Sequence, residues 1–232
     1  MATLAATRGP NAAAATRERT ASRAWAWLGL AAFVVGVFVT WSVQFVYGMD
    51  DLDAGGTQLV DALDTTRNEV LFRVTSGLGY LTVAALVGFG VGFRRFLNER
   101  ADGKSDIPNI ILGAILVTAA GLAMAMSFRA QVFDGMASYQ DSTASHITIN
   151  RLQQDGVLAA WATMLAATAA TAVGGLRGTL FPRALGWFSA VMSAIIVLFC
   201  LVGGAFPANI PALLWLLVTS VWAIRASGPQ AV

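Results

Sequence analysis

An all-α fold, a polytopic transmembrane bundle of six helices, is what this sequence predicts, and three observations predict it. Of the 232 residues, 56% are hydrophobic and 12% charged, whereas soluble domains carry about 25% charged residues. The apolar residues gather into six runs of roughly 20, the helix length needed to cross a hydrocarbon core of about 30 Å. The few charges fall between or at the ends of these runs, and none sits in the middle of one. Composition alone therefore excludes an ordinary soluble enzyme.

Taken in order, residues 1–23 are rich in Ala, Thr and Arg, contain Gly9-Pro10 and offer no apolar stripe, so they are expected to form a disordered tail. Arg17, Arg19 and Arg23 ahead of Trp25 resemble the charged start of a secretory signal, and an organelle-targeting presequence is a second alternative. The apolar stretch runs on to Tyr47 without an early small-residue cleavage pattern, which favours an uncleaved first span over 25–47. Further spans are expected at 71–93, 109–128, 157–176, 184–203 and 210–224, giving a membrane domain over 24–226 and a short tail at 227–232. Pro207 and Pro211 place the start of the last span near the bilayer edge, where Pro is tolerated in a first helical turn.

Two connections are long, 48–70 and 129–156. Leu59, Leu63, Val70 and Val74 recur on one helical face, so a helix is expected from Thr57 to Val70 leading into span two. Asp141 is positioned to cap another helix running through Ile147 and Arg151 into span four, with Gly156 weakening it. The three-plus-three division would suit inverted repeats, but the halves share no pattern.

Orientation follows from the cations. With the N-terminus cytoplasmic, 11 of the 15 Lys and Arg residues fall inside, leaving Arg67, Arg73, Arg129 and Arg151 outside, as the positive-inside rule requires. Nine of the 13 acids fall outside. Both termini are then cytoplasmic in a bacterial plasma membrane. Trp25, Trp27, Trp41, Tyr47, Trp187 and Trp222 cluster toward span ends, the level of the lipid headgroups.

Small residues recur at spacing four. Span four carries Ala159, Thr163, Ala167, Thr171 and Gly175, and shorter sets occur in spans one to three. Lipid supplies little hydrophobic force between helices, so close approach of small-residue faces is a natural packing device. The stripe is read as bundle packing, with a homo-oligomer contact or a small-molecule cleft as the alternative.

Near the outer interface, Gln44, Tyr47, Arg73, Tyr80, Arg129 and Gln131 come from three span ends. Arg73 and Arg129 are expected to snorkel to the outer surface, where loop acids would pair with them or a small anion or headgroup would bridge them.

The remaining motifs exclude more than they assign. An EF-hand read from Asp51 needs Glu at its twelfth position and finds Ala62, and the spacing of Asp50, Asp51 and Asp53 does not make a DDxxD pair. His146 is the only histidine and Cys200 the only cysteine, so a bis-histidine haem, an H-E-x-x-H zinc site and a disulfide are all excluded. No G-x-S-x-G elbow or Walker loop is present, and Lys104 lies in a connection, away from any intramembrane Schiff base. No catalytic residue, cofactor or metal is expected. A net charge of +2 speaks against nucleic acid as a partner.

The last run, from Pro211 through Trp215, Ser220 and Trp222 to Arg225, resembles the final helix of uncharacterised six-span bacterial membrane proteins grouped as domains of unknown function. That resemblance implies a fold class and no chemistry. The expected function is that of a non-enzymatic membrane protein binding a protein partner, a lipid or a small molecule through its outer face. The alternative is a small permease lacking the intramembrane acids that proton coupling uses.

Overall fold

The computed structural model describes residues 11–46, 66–101, 103–136, 143–202 and 208–227. Among these residues the regular structure is helical and no strand occurs. The described helices are α1 (Asn11–Val46), α2 (Thr66–Arg100), α3 (Ile107–Met136), α4 (Thr143–Ala162), α5 (Leu165–Leu176), α6 (Arg183–Val202) and α7 (Asn209–Ala226). Helices α4 and α5 form one membrane-length unit, so six units are long and apolar enough to cross a bilayer.

Each unit packs against the next in the chain, and α7 returns to α1, closing a ring. The ring is apolar on the outside as well as within: Leu201 and Val202 are about four-fifths exposed, and Leu81 and Trp187 about two-thirds. Continuous apolar exposure on this scale marks a surface that meets lipid. Inside, Trp161 of α4 and Trp215 of α7 are fully buried. A buried indole needs a partner for its N–H; Trp161 Nε1 donates to Thr40 Oγ1 at 3.0 Å and Trp215 Nε1 to Ser189 Oγ at 3.2 Å.

One end of the bundle is basic. There α2 ends, α3 begins, α5 passes into α6 and α7 finishes, bringing Arg94, Arg95, Arg100, Lys104, Arg177 and Arg183 to the same level. Beneath them lies an aromatic layer in which Trp25 packs on Phe96 with ring centres 5.4 Å apart, and Phe181 on Trp222 at 5.3 Å. Trp25 and Trp222 thus turn into the bundle, while Trp27 and Trp187 point outward as span-end rings do.

Several local expectations change. Segment 11–23, expected as part of a disordered tail, is the first part of α1; its alanines and arginines are strong helix formers, and Pro10 precedes the helix without interrupting it. Helices α1, α2 and α3 all exceed their expected spans. Of the expected helix from Thr57 to Val70, residues 66–70 belong to α2 and the rest lies outside the described residues. Helix α4 does run through Ile147 and Arg151 toward span four, although Asp141 lies outside the described residues. Gly156 does not end it: a Cβ there would stand 3.3 Å from that of Ala125, so the glycine serves close approach to α3.

Span four breaks instead at Thr163-Met164, with neither Gly nor Pro at the joint. Thr163 N and Met164 N donate three residues back, to Ala160 O and Trp161 O, in 3₁₀ fashion. The Thr163 hydroxyl reaches Ala160 O at 2.7 Å, a side-chain competitor for the helical ladder. It also lies 2.7 Å from Thr118 Oγ1 of α3, which in turn lies 2.9 Å from Ala114 O. Three close contacts share two hydroxyl protons, so one contact is always without a proton.

The small-residue stripe of span four does not form one face. Ala159 is exposed, Thr163 half-buried, and Ala167, Thr171 and Gly175 are buried. Each step of four residues turns the helix by about 400°, a drift of about 40°, so Ala159 and Gly175 end about 160° apart. Among the described residues, the buried residues of α4 are Gln153, Val157, Leu158, Ala160 and Trp161. At the far end a Cβ on Gly175 would stand 2.5 Å from Gly186 Cα, so α5 and α6 touch backbone to backbone there.

Candidate functional site

At the end of the bundle opposite the basic one, α3 carries Arg129 in its last membrane turn. The arginine does not snorkel outward. It is 1% exposed, and its guanidinium points between α1 and α4. Nε donates to Gln153 Oε1 at 2.8 Å, and Nη1 donates to Val39 O at 3.2 Å and to Ser42 Oγ at 3.3 Å. Ser42 in turn donates to Val39 O at 2.8 Å. Val39, Ser42 and Gln153 are themselves at most 2% exposed.

The physical logic is that of a buried cation. Removing a guanidinium from water costs several kcal/mol unless hydrogen bonds replace its hydration. Arginine suits the position because its rigid planar fork sends donors in several directions at once. Here that fork joins three helices, α1, α3 and α4, at the end of the bundle where the chain passes from α1 to α2 and from α3 to α4. These bonds reach a main-chain carbonyl and two neutral side chains, a donor and acceptor set suited to fixing geometry.

The other described members of the expected outer cluster lie at the surface. Arg73 and Gln131 are exposed. Tyr80 is 44% exposed and shares a 3.0 Å hydrogen bond with Ser127 Oγ, linking α2 to α3 on the bundle surface. Gln44 and Tyr47 lie outside the residues whose side chains are described. Among its described members the expected cluster therefore separates into an inward arginine and an outward polar rim.

Gln153 and Ser42 are the partners that the sequence reading missed. One signal was available: Gln153 stands in helical register with Val157, Ala160 and Met164, so a polar residue lies on an otherwise apolar face. Ser42 had no comparable signal, because its role depends on which helix α3 meets. Among the described residues no group of three or more His, Cys, Asp or Glu side chains is arranged to hold a metal. The chain matches no protein-family model, no curated protein and no solved structure at a significant level.

Proposed function

We propose that this chain is a non-enzymatic multi-pass protein of a bacterial plasma membrane, both termini cytoplasmic, that binds a partner protein, a lipid or a small molecule at its outer face. The observation that carries the reading is the Arg129 joint. It fixes the outer ends of α1, α3 and α4 relative to one another beside the α1–α2 and α3–α4 connections, as a platform presenting those connections to a partner requires. Nine of the 13 acids fall within residues 48–70 and 129–156, so a partner with basic groups is favoured. The cation distribution supports the orientation.

A small permease is the second reading, favoured by the break at Thr163-Met164, since transporters place interrupted helices near the bilayer midplane. The close packing of Trp161, Trp215, Ile115 and Met126 favours the first.

The test has two parts. In a Cys200→Ala background, a membrane-impermeant maleimide applied to intact cells is expected to label Asp141→Cys and to spare Lys104→Cys; the reverse pattern refutes the orientation. A photo-crosslinking amino acid at position 52 or 138 is then expected to give a discrete adduct in native membranes, whereas one at 103 gives none. Absence of any adduct from the outer positions, with the protein at normal abundance, refutes outer-face binding.

A further inference from the structure

The basic end holds a cleft of about 310 Å³ between the α2–α3 connection and the α5–α6 connection, close to the lower bound of small-molecule sites, about 300 Å³. Arg100, Lys104 and Arg177 all line it, together with Ser105 and Leu180, and among the described residues no carboxylate does. The described acids of this end are engaged elsewhere or face solvent: Glu99 pairs with Arg95 at 3.5 Å on the surface, and Asp106 is exposed. Among the described residues the three lining cations form no ion pair.

The positive-inside rule accounts for cations at this end. It does not account for three of them converging on one concavity, and the local backbone does. Gly103, beside Lys104, has φ +69°, and Gly178, beside Arg177, has φ +67°. L-residues with a side chain rarely adopt that left-handed conformation. Each glycine turns its connection so that the neighbouring cation belongs to the cleft wall. Arg100 is positioned by other means: its guanidinium carbon lies 4.3 Å above the Phe96 ring and 5.3 Å from that of Trp222, and Nη2 donates to Ala226 O at 3.4 Å. Stacking holds the plane of the fork and leaves in-plane N–H groups to donate. Ser105 Oγ accepts from Ile107 N at 3.3 Å, so its own proton remains to donate.

We infer that this cleft binds a phosphate-bearing anion. A tetrahedral oxyanion accepts from a preset arginine fork, from two further cations and from a hydroxyl, which is the set of donors present. The cleft sits beside the aromatic layer of Trp25, Phe96 and Trp222, at headgroup level, so both an anionic phospholipid and a free phosphate compound can reach it. The inference does not depend on outer-face binding, because it concerns the opposite end of the bundle.

The full chain, purified in detergent, is titrated with phosphatidylglycerol and with phosphatidylcholine by native mass spectrometry, and separately with inorganic phosphate by thermal unfolding. The same measurements are made on Lys104→Gln/Arg177→Gln and on Arg95→Gln/Arg183→Gln, which removes equal charge from exposed positions outside the cleft. Arg100→Lys keeps the charge and loses the fork. Preferential retention of phosphatidylglycerol, weakened by about tenfold or more only in the cleft variants, supports the inference with a lipid as the source. Stabilisation by inorganic phosphate that the cleft variants lose, without lipid preference, supports it with a soluble source. Equal loss in the cleft and control variants overturns it, as does the absence of both effects in the unaltered protein.

Discussion

Arg129 and Gln153 make opposite demands on the fold, and their substitutions are expected to differ in a defined order. Gln153→Leu removes the acceptor of the shortest bond, 2.8 Å, and strands the Nε–H of a cation that is 1% exposed. Arg129→Met removes the cation itself, together with its desolvation cost, and leaves three neutral groups, of which Ser42 already donates to Val39 O. A hydrogen bond to a charged group contributes about 1.5–3 kcal/mol, and stranding a buried charge costs about 3–5 kcal/mol in water-soluble proteins. Hydrogen bonds between helices in lipid average lower, about 0.6 kcal/mol, so about 2–3 kcal/mol is expected for Gln153→Leu. For Arg129→Met about 1–2 kcal/mol is expected, because its bonds to Val39 O and Ser42 Oγ are long, 3.2 and 3.3 Å. The double variant should resemble Arg129→Met alone, a coupling of about 2–3 kcal/mol, the whole of the Gln153→Leu effect. Reversible unfolding of the purified protein in mixed micelles by a denaturing detergent measures all three. If Arg129→Met proves costlier than Gln153→Leu, or if the two effects simply add, the guanidinium is not held as argued.

Other positions carry independent expectations. Gly175→Ala should lower the melting temperature sharply, because its Cβ would stand 2.5 Å from Gly186 Cα, backbone that cannot rotate aside; Gly113→Ala, with nothing within 4 Å, should raise stability by a few tenths to about 1 kcal/mol. A melt in which the two variants match would contradict the backbone contact between α5 and α6. Thr163→Ala should remove the hydroxyl that competes at Ala160 O, so amides around 162–168 should exchange more slowly with solvent deuterium in nanodiscs. Faster exchange there would mean that the hydroxyl supports the joint.

The spans were legible because hydropathy and length are local properties that the bilayer reads directly. The small-residue stripe was misread because spacing four looks constant along a sequence yet drifts around a helix, carrying Ala159 outward and Gly175 inward. Arg129 was misread for a different reason. An arginine in the last turn of a span reaches headgroups or the bundle interior equally well, and the choice is made by Val39 and Ser42 on another helix. The joint at Thr163-Met164 has no Pro or Gly to announce it, and its Thr118 contact comes from 45 residues away. What the sequence could not disclose is therefore what depends on pairs of helices.

The bonds that hold α1 also impose an order on biogenesis. The basic end of α1 meets its partners early, because Trp25 packs on Phe89 and Phe93, about one helical hairpin later in the chain. The other end waits: Val39 and Ser42 need Arg129, and Thr40 needs Trp161, at separations of 90, 87 and 121 residues. At about 5–20 residues per second of synthesis, roughly 5–25 s pass between the insertion of that end of α1 and the arrival of the groups that anchor it. The first helical pair must therefore stand in the membrane closed at one end and open at the other, and a ribosome that stalls between residues 100 and 129 would leave it so.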